Sequence, residues 1–288
     1  MATTNSLSDK TYRDKIRKGQ FNEALRTQVV AEKICIVDRS GAKTISAPYI
    51  TTPTVTVQAL TGTYTPQNLT TTDDTLTVTD EFIVPAQIKD FEQVLSDFDL
   101  FYEAHRAMAN AMAVKVDQWV LNELCENGTG TLTTPAGGFT TAANVLGIIG
   151  SMISKNAGYA NAAAAGSTYL VVENTDLTGI LGAVTTAGFR FADEHLTNGG
   201  FGNIMGVDIY VVRSGTFIDG TIGTKTWTNA GHRVGGVKKV ATYAAPGGFR
   251  FEEKGVSGVT GKEIVAICYA GFKQWTPTSD LTIDITLA

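Results

Sequence analysis

The side chains best suited to chemistry are few and scattered. The chain holds three histidines, His105, His195 and His232, and three cysteines, Cys35, Cys125 and Cys268. A structural zinc site needs Cys and His at short spacings such as CxxC, and a helical zinc protease motif needs two histidines four residues apart. Neither spacing occurs. Cys125 closes a helical stretch and Cys268 lies in IVAICYAGF, the pattern of a buried strand. All three thiols are read as reduced and buried, because free cysteine behaves as a small hydrophobe. His105 falls on an apolar helical stripe and is read as a structural, hydrogen-bonded histidine.

Carboxylates and glycines lead no further. Asp73, Asp74, Asp80 and Glu81 form an acidic run. Paired carboxylates can divide acid–base work, but this run reads as loop and strand decoration. Gly258-Val259-Thr260-Gly261-Lys262-Glu263 has the wrong spacing for a phosphate loop and no hydroxyl after the lysine. Gly199, Gly200, Gly202 and Gly206 do not form GxGxxG, and there is no GxSxG elbow. No catalytic, cofactor-binding or metal residue is assigned, and the chain is read as a non-enzyme without cofactors. The Asn68 and Asn127 sequons carry no weight without a secretion signal.

The elements around these residues say more. At 288 residues the chain fits one large domain or two small ones. Hydrophobic residues make 43% and charged residues 18%, a globular composition whose surface must be rich in Thr, Ser, Asn and Gly. A net charge of −5 excludes a globally basic nucleic-acid binder. No apolar run reaches the roughly 18 residues of a membrane helix. The polar start, MATTNSLSDKTYRDKIRKGQF, lacks a signal-peptide core. The expected product is soluble, made in a cytoplasm and not associated with membrane.

Five zones follow along the chain. Residues 1–34 form an arm in which Lys10, Arg13, Lys15, Arg17 and Lys18 crowd together ahead of a short amphipathic helix, FNEALRTQVVAEKI. This cluster could meet nucleic acid or an acidic neighbour, or could be a solvated helix face. Residues 35–84 are strand-rich, with Ser40-Gly41 as a turn and alternation at 54–57 and 76–78. The second part is too threonine-rich for a core strand and reads as an extended hairpin, marginal alone in water and suited to docking on another subunit. From 85, Pro85 and Ile88 lead into a short helical piece, KDFEQVL. A long helix then begins at Ser96, which with Asp99 resembles a capping box. Phe98, Tyr102, His105, Ala109, Met112, Val116, Trp119 and Val120 recur every three or four residues, and Gly128 ends the run. About 29 residues at about 1.5 Å each give roughly 43 Å: a beam for packing. Residues 129–245 are a Gly/Ala/Thr-rich α+β zone. It has one helix capped by Thr140 or Thr141, a strand TYLVVE, a second helix capped by Asn174 or Thr175, a glycine-rich turn and a strand VDIYVV. Residues 246–288 return to strands.

Read in this order, the chain resembles the major capsid proteins of tailed bacteriophages, the Hong Kong 97 fold. Three patterns carry the resemblance. AMANAMAVKVDQWVL is similar to the family's spine helix, with Asp117 in the place of the family's aspartate. NTDLTGIL followed by LTNGGFGNIMGVDIYVVRSG is similar to the family's glycine-punctuated segment, and GKEIVAICYAGFKQWTP is similar to its closing strand. The resemblance implies an α+β Hong Kong 97-like capsid fold: an N-arm at 1–34, an extended E-loop hairpin at 35–84, a peripheral domain at 85–135 and 246–288 with the spine helix, and an axial domain at 136–245. It implies a major capsid subunit that self-assembles into pentamers and hexamers of an icosahedral head around double-stranded DNA. The assembly residues would be the arm cations, Lys43, Tyr49 and Tyr64 of the hairpin, and Gly199, Gly200 and Gly202 at the axial tip, where small residues let backbones meet. Some relatives form a covalent cross-link through a hairpin lysine such as Lys43. No coiled-coil segment precedes the arm, so a separate scaffolding protein is expected, with a portal and a decoration protein as further partners. DNA contact would be non-specific and the location would be the virion. An encapsulin-like nanocompartment enclosing a cargo enzyme is the alternative.

Overall fold

The computed structural model describes residues 30–50, 62, 66–89, 100–156, 168–186, 202–248, 250–255 and 261–288. The first half of the chain gives α1 (Val30–Ile34), β1 (Ile36–Asp38), β2 (Thr44–Ile50), β3 (Thr71–Thr77), β4 (Asp80–Lys89), α2 (Leu100–Asn127) and β5 (Gly130–Thr133). The middle gives α3 (Ala142–Asn156), β6 (Thr168–Glu173), α4 (Leu177–Thr186), β7 (Asn203–Ile204), β8 (Val207–Val212), β9 (Asp219–Ile222) and β10 (Lys225–Thr228). The last part gives β11 (His232–Val237), β12 (Ala241–Ala244), β13 (Arg250–Gly255), β14 (Gly261–Gln274) and β15 (Thr282–Thr286).

Helix α2 is the long element that the periodicity predicts. His105, Ala109, Met112, Val116, Trp119 and Val120 are all buried, and the Gly128 N–H closes the helix on the Leu124 carbonyl at 3.1 Å. Ser96 and the 90–95 segment lie outside the described residues. The single stripe is not the whole pattern, because residues 119–125 are buried all round. The reason is that α2 runs between two sheets. One face meets β4 and β14, where Phe82 and Phe272 set their rings edge-on to Trp119 at 6.0 and 6.5 Å. The opposite side meets β11 and β15.

The first of these sheets has the order β1-β12-β14-β13, with β4 pairing β14 along ten residues from Gly261↔Lys89 to Ala270↔Asp80. The second is six-stranded, β5-β15-β11-β6-β8-β7. Helices α3 and α4 cover its far face through Val145, Ile149, Met152 and Ile180, which pack on Leu170, Val172, Ile209, Ile283 and Ile285. Covered on both faces, β6 is buried along its whole length, as its apolar run predicts.

Several details differ from the sequence reading. Pro85 and Ile88 lie inside β4, held there by pairing with β14, and the strand takes in Lys89, the first residue of KDFEQVL, whose remainder lies outside the described residues; among the described strands β4 pairs with β14 alone. The cap after TYLVVE is Glu173, ahead of the 3₁₀ turn Asn174–Asp176, not Asn174 or Thr175: the Asp176 carboxylate accepts the Glu173 N–H at 3.1 Å. The sheets also run across the zone boundaries. β4 crosses 84/85 and belongs with β14, while β5 and β15 pair in the sheet of β6, β8 and β11.

Candidate assembly surfaces

The hairpin β2–β3 starts on the body and leaves it. Its register pairs Ile45 with Leu76, Ala47 with Asp74 and Tyr49 with Thr72 on one face. Directly opposed residues share a face, so cover along it can be followed outward. Leu76 is fully buried, Asp74 is 8% exposed and Thr72 is exposed. The other face carries Thr44, Ser46, Pro48, Thr71, Asp73, Thr75 and Thr77, all exposed. At the described outer end Ile50 is 57% exposed and nearby Leu69 is 61% exposed. β-branched residues hold the strand conformation, but past Asp74 cover thins: Thr72 is exposed and its partner Tyr49 is half-buried.

The base is built to hold. The Thr79 N–H donates to the Ala270 carbonyl at 3.2 Å and the Val78 N–H to the Lys43 carbonyl at 3.0 Å. Gly271 permits this approach: a Cβ there would sit 2.9 Å from the Thr77 carbonyl oxygen. Asp74 accepts hydrogen bonds from the Thr276 N–H at 2.9 Å and the Thr276 hydroxyl at 2.8 Å, and pairs with Lys273 Nζ at 2.7 Å. Burial pushes its carboxyl up, but these donors outweigh it and hold Asp74 below the ordinary range. Asp80 accepts from the Thr224 N–H at 2.8 Å and the Thr224 hydroxyl at 3.0 Å. The acidic run therefore divides: Asp73 and Glu81 are exposed decoration, whereas Asp74 and Asp80 are buried ties.

Polar groups buried along α2 make ties that the sequence alone does not reveal, although Asp117 stands out there through the family resemblance. Glu123 accepts from Trp227 Nε1 at 2.9 Å and Lys225 Nζ at 3.1 Å. Asn122 donates to the Thr216 carbonyl at 2.8 Å and accepts from the Ile218 N–H at 3.2 Å. Together they tie the 216–227 stretch to the helix. Asp117 accepts the Val30 and Ala31 N–H groups, each at 2.9 Å.

Of the proposed assembly residues, the structure describes three. Lys43 is exposed at the hairpin base, and Tyr49 is half-buried on the inner face opposite Thr72. Gly202, with φ +79°, precedes the tight β7–β8 turn at Met205-Gly206, whose φ values of 55° and 84° are those of a type I′ hairpin. Lys10, Arg13, Lys15, Arg17, Lys18, Tyr64, Gly199 and Gly200 lie outside the described residues, as do His195 and the 54–57 alternation.

Among the described residues no three His, Cys, Asp or Glu side chains group to hold a metal ion. No described helix is long and apolar enough to cross a membrane. Burial pushes the Cys35 and Cys268 thiols up to about 12 and Cys125 well above its ordinary value, so all three stay protonated and poorly nucleophilic. His105 stacks on Phe251 at 4.6 Å, and His232 pairs with Asp284 at 2.8 Å.

No protein-family model matches the chain, and no curated protein matches it in sequence. Solved structures do match over nearly its full length. A chain of the capsid of cyanophage P-SCSP1u superposes with a TM-score of 0.69 at 14% identity, covering 90% of this chain and 88% of that one. A chain of Mycobacterium phage Che8 gives 0.68 at 20% identity over 90% and 91%. A chain of the bacteriophage PhiM1 mature capsid gives 0.68 at 10% identity over 92% and 86%. At these identities the likeness is one of fold: the chain has the fold of tailed-phage capsid proteins of the Hong Kong 97 type.

Proposed function

We propose that the chain is a major capsid subunit, a structural protein that assembles through copies of itself into pentamers and hexamers of an icosahedral head enclosing double-stranded DNA. The observation that carries this reading is the hairpin on a capsid fold: it is firmly rooted at Asp74 and Gly271, while its outward face and, at its described outer end, Ile50 and Thr72 stand exposed. A two-stranded ribbon is not independently stable in water, so its outer part is best explained by a surface on a neighbouring subunit. Many modest contacts of this kind multiply through effective concentration. The acidic chain suits a container that holds DNA weakly and non-specifically, with the cations of residues 1–34 as its DNA-facing or scaffold-facing charge. A separate scaffolding protein, a portal and a decoration protein complete the proposed set of partners, and the virion is the proposed location. Matched capsids, including that of the empty GTA particle at a TM-score of 0.62, favour this reading over a cargo-enclosing nanocompartment.

Ile50 and Thr71 are direct partners, so residues 51–70 can be replaced by Asn-Gly, the preferred two-residue turn. This variant keeps every contact at the hairpin base. Electron microscopy of both proteins should show closed shells for the parent and only free subunits or capsomers for the variant. Stable shells from the variant would overturn the hairpin's role, and a parent that stays monomeric under all assembly conditions would overturn the capsid reading.

A further inference from the structure

Part of the long helix shows solvent a face of cations set around small side chains. From Arg106 to Gln118 of α2 the exposed residues are Arg106, Ala107, Ala111, Val114 and Lys115. Glu103, one turn earlier, bounds the stretch. The carboxylate within it, Asp117, is buried and occupied by the Val30 and Ala31 N–H groups. Asp117 and Gln118 lie about 100° apart around the helix, and each holds a neighbour beside the open face. On the Asp117 side α1 presents the exposed Lys33. On the Gln118 side the loop after β8 presents the exposed Arg213, held there by a hydrogen bond from Gln118 Nε2 to the Gly215 carbonyl at 3.0 Å. Lys115 Nζ reaches Gln118 Oε1 on that same side at 2.8 Å. Among the described residues no carboxylate forms an ion pair with Lys33, Arg106, Lys115 or Arg213.

We propose that this face, bordered by Lys33 and Arg213, is a contact for the phosphate backbone of nucleic acid. The proposal rests on the capsid reading for the source of the ligand, the packaged double-stranded DNA, and adds a contact on the folded body to the cations of the arm.

Charge calls for an anion here. The chain as a whole carries −5, yet these cations stand without compensation. Beside them the Lys33 and Lys238 ammoniums share one aromatic ring, 5.8 and 5.2 Å from the centroid of Tyr210. Asp208 takes Lys238 and Arg39 takes Glu32, which leaves Lys33 for an outside partner. Like charges held close repel until an opposite charge joins them. Shape selects phosphate over an acidic protein. Ala107 and Ala111 leave the helix backbone open to close approach, and Val114 is the one large apolar side chain exposed on this face. A protein partner would need buried apolar or aromatic anchors at the centre of the contact; a phosphate ribbon needs charge along its edges. Phosphate contacts carry no sequence information, so the face binds any duplex alike.

The test measures binding of a short DNA duplex to unassembled subunits by fluorescence anisotropy, so it reads the face whether or not shells form. Each phosphate contact contributes about 0.9 to the slope of log affinity against log salt. Lys33→Gln, Lys115→Gln and Arg213→Gln combined should lower that slope by about 3 and weaken binding at least tenfold at about 50 mM salt, equally for two unrelated sequences and with unchanged circular dichroism. Lys43→Gln, Lys89→Gln and Lys155→Gln combined remove the same charge from exposed sites elsewhere and should leave affinity within about twofold of the parent. The proposal is overturned if the parent does not bind, if both triple variants weaken binding alike, or if the first triple variant binds as the parent does. A first triple variant that binds DNA normally but no longer forms shells would assign the face to a protein contact instead. Shell formation by the parent is scored separately by electron microscopy, so failure of the capsid reading and failure of the DNA contact are distinct results.

Discussion

Arg233 is buried between two carboxylates. Its Nε donates to Asp176 at 2.5 Å, one terminal nitrogen donates to Glu173 at 3.3 Å, and the other donates to the His232 carbonyl at 2.7 Å. The remaining Glu173 oxygen accepts three successive amides, Gly215, Thr216 and Phe217, at 3.0 to 3.3 Å. One residue thus joins β11, the turn after β6 and the loop after β8. Removing a single partner from such a cluster leaves buried charge uncompensated, which costs about 3–5 kcal/mol. Arg233→Leu should lower the free energy of unfolding by that amount, read as a shifted urea midpoint; a loss under 1 kcal/mol would mean the cluster is electrostatically indifferent. The buried ties were opaque to sequence reading for a plain reason. Asp74 meets Thr276 across 202 positions and Asp80 meets Thr224 across 144, so nothing local separates them from the exposed Asp73 and Glu81 beside them.

At the scale of elements, legibility tracked periodicity. Helix α2 and strands β6 and β8 were readable because their apolar residues repeat at the helical period or run unbroken. The ties of Asp117, Asn122 and Glu123 were not, since their partners lie about 90 to 100 positions away and only the fold brings them near. That β4 runs on past Pro85 to Lys89 was not legible, because proline marks a break in isolation but is tolerated on a strand paired along one side. The hairpin was legible as an element, but the side on which it docks was not. That docking makes a pH prediction. Asp74 is held below the ordinary carboxylate range, so its bonds to Lys273 and Thr276 contribute stability above that range and lose it as acid protonates the group. Hydrogen exchange at the Thr276 amide, corrected for intrinsic rates, should accelerate between about pH 5 and pH 2. Asp74→Asn should show fast exchange already at neutral pH and no further acid response. Equal acid sensitivity in parent and variant would place the effect elsewhere.

Across the whole molecule the chain is interleaved rather than divided. Residues 30–38 pack beside a strand from 241–244, the long helix lies between sheets drawn from both ends of the sequence, and the last strand, β15, is inserted between β5 and β11. A linear reading into zones cannot show this exchange, because strand order depends on pairings separated by most of the chain. The interleaving suits a subunit that would be pulled from several sides in a shell, since load on one segment is shared by others. It also means that the final strand cannot be a dispensable tail. Ile283 and Ile285 are fully buried against α3 and the sheet, and β15 supplies the ladder partners of both its neighbours. Ending the chain after Asp280 should therefore abolish cooperative unfolding of the entire subunit, seen by circular dichroism and by loss of protection at β6 amides, whose strand pairs with β8 and β11 and not with β15. The variant with residues 51–70 replaced keeps every buried residue named here, and should keep its transition. If the chain truncated after Asp280 melts cooperatively at the parent's midpoint, the two sheets stand independently and the interleaved account of the core fails.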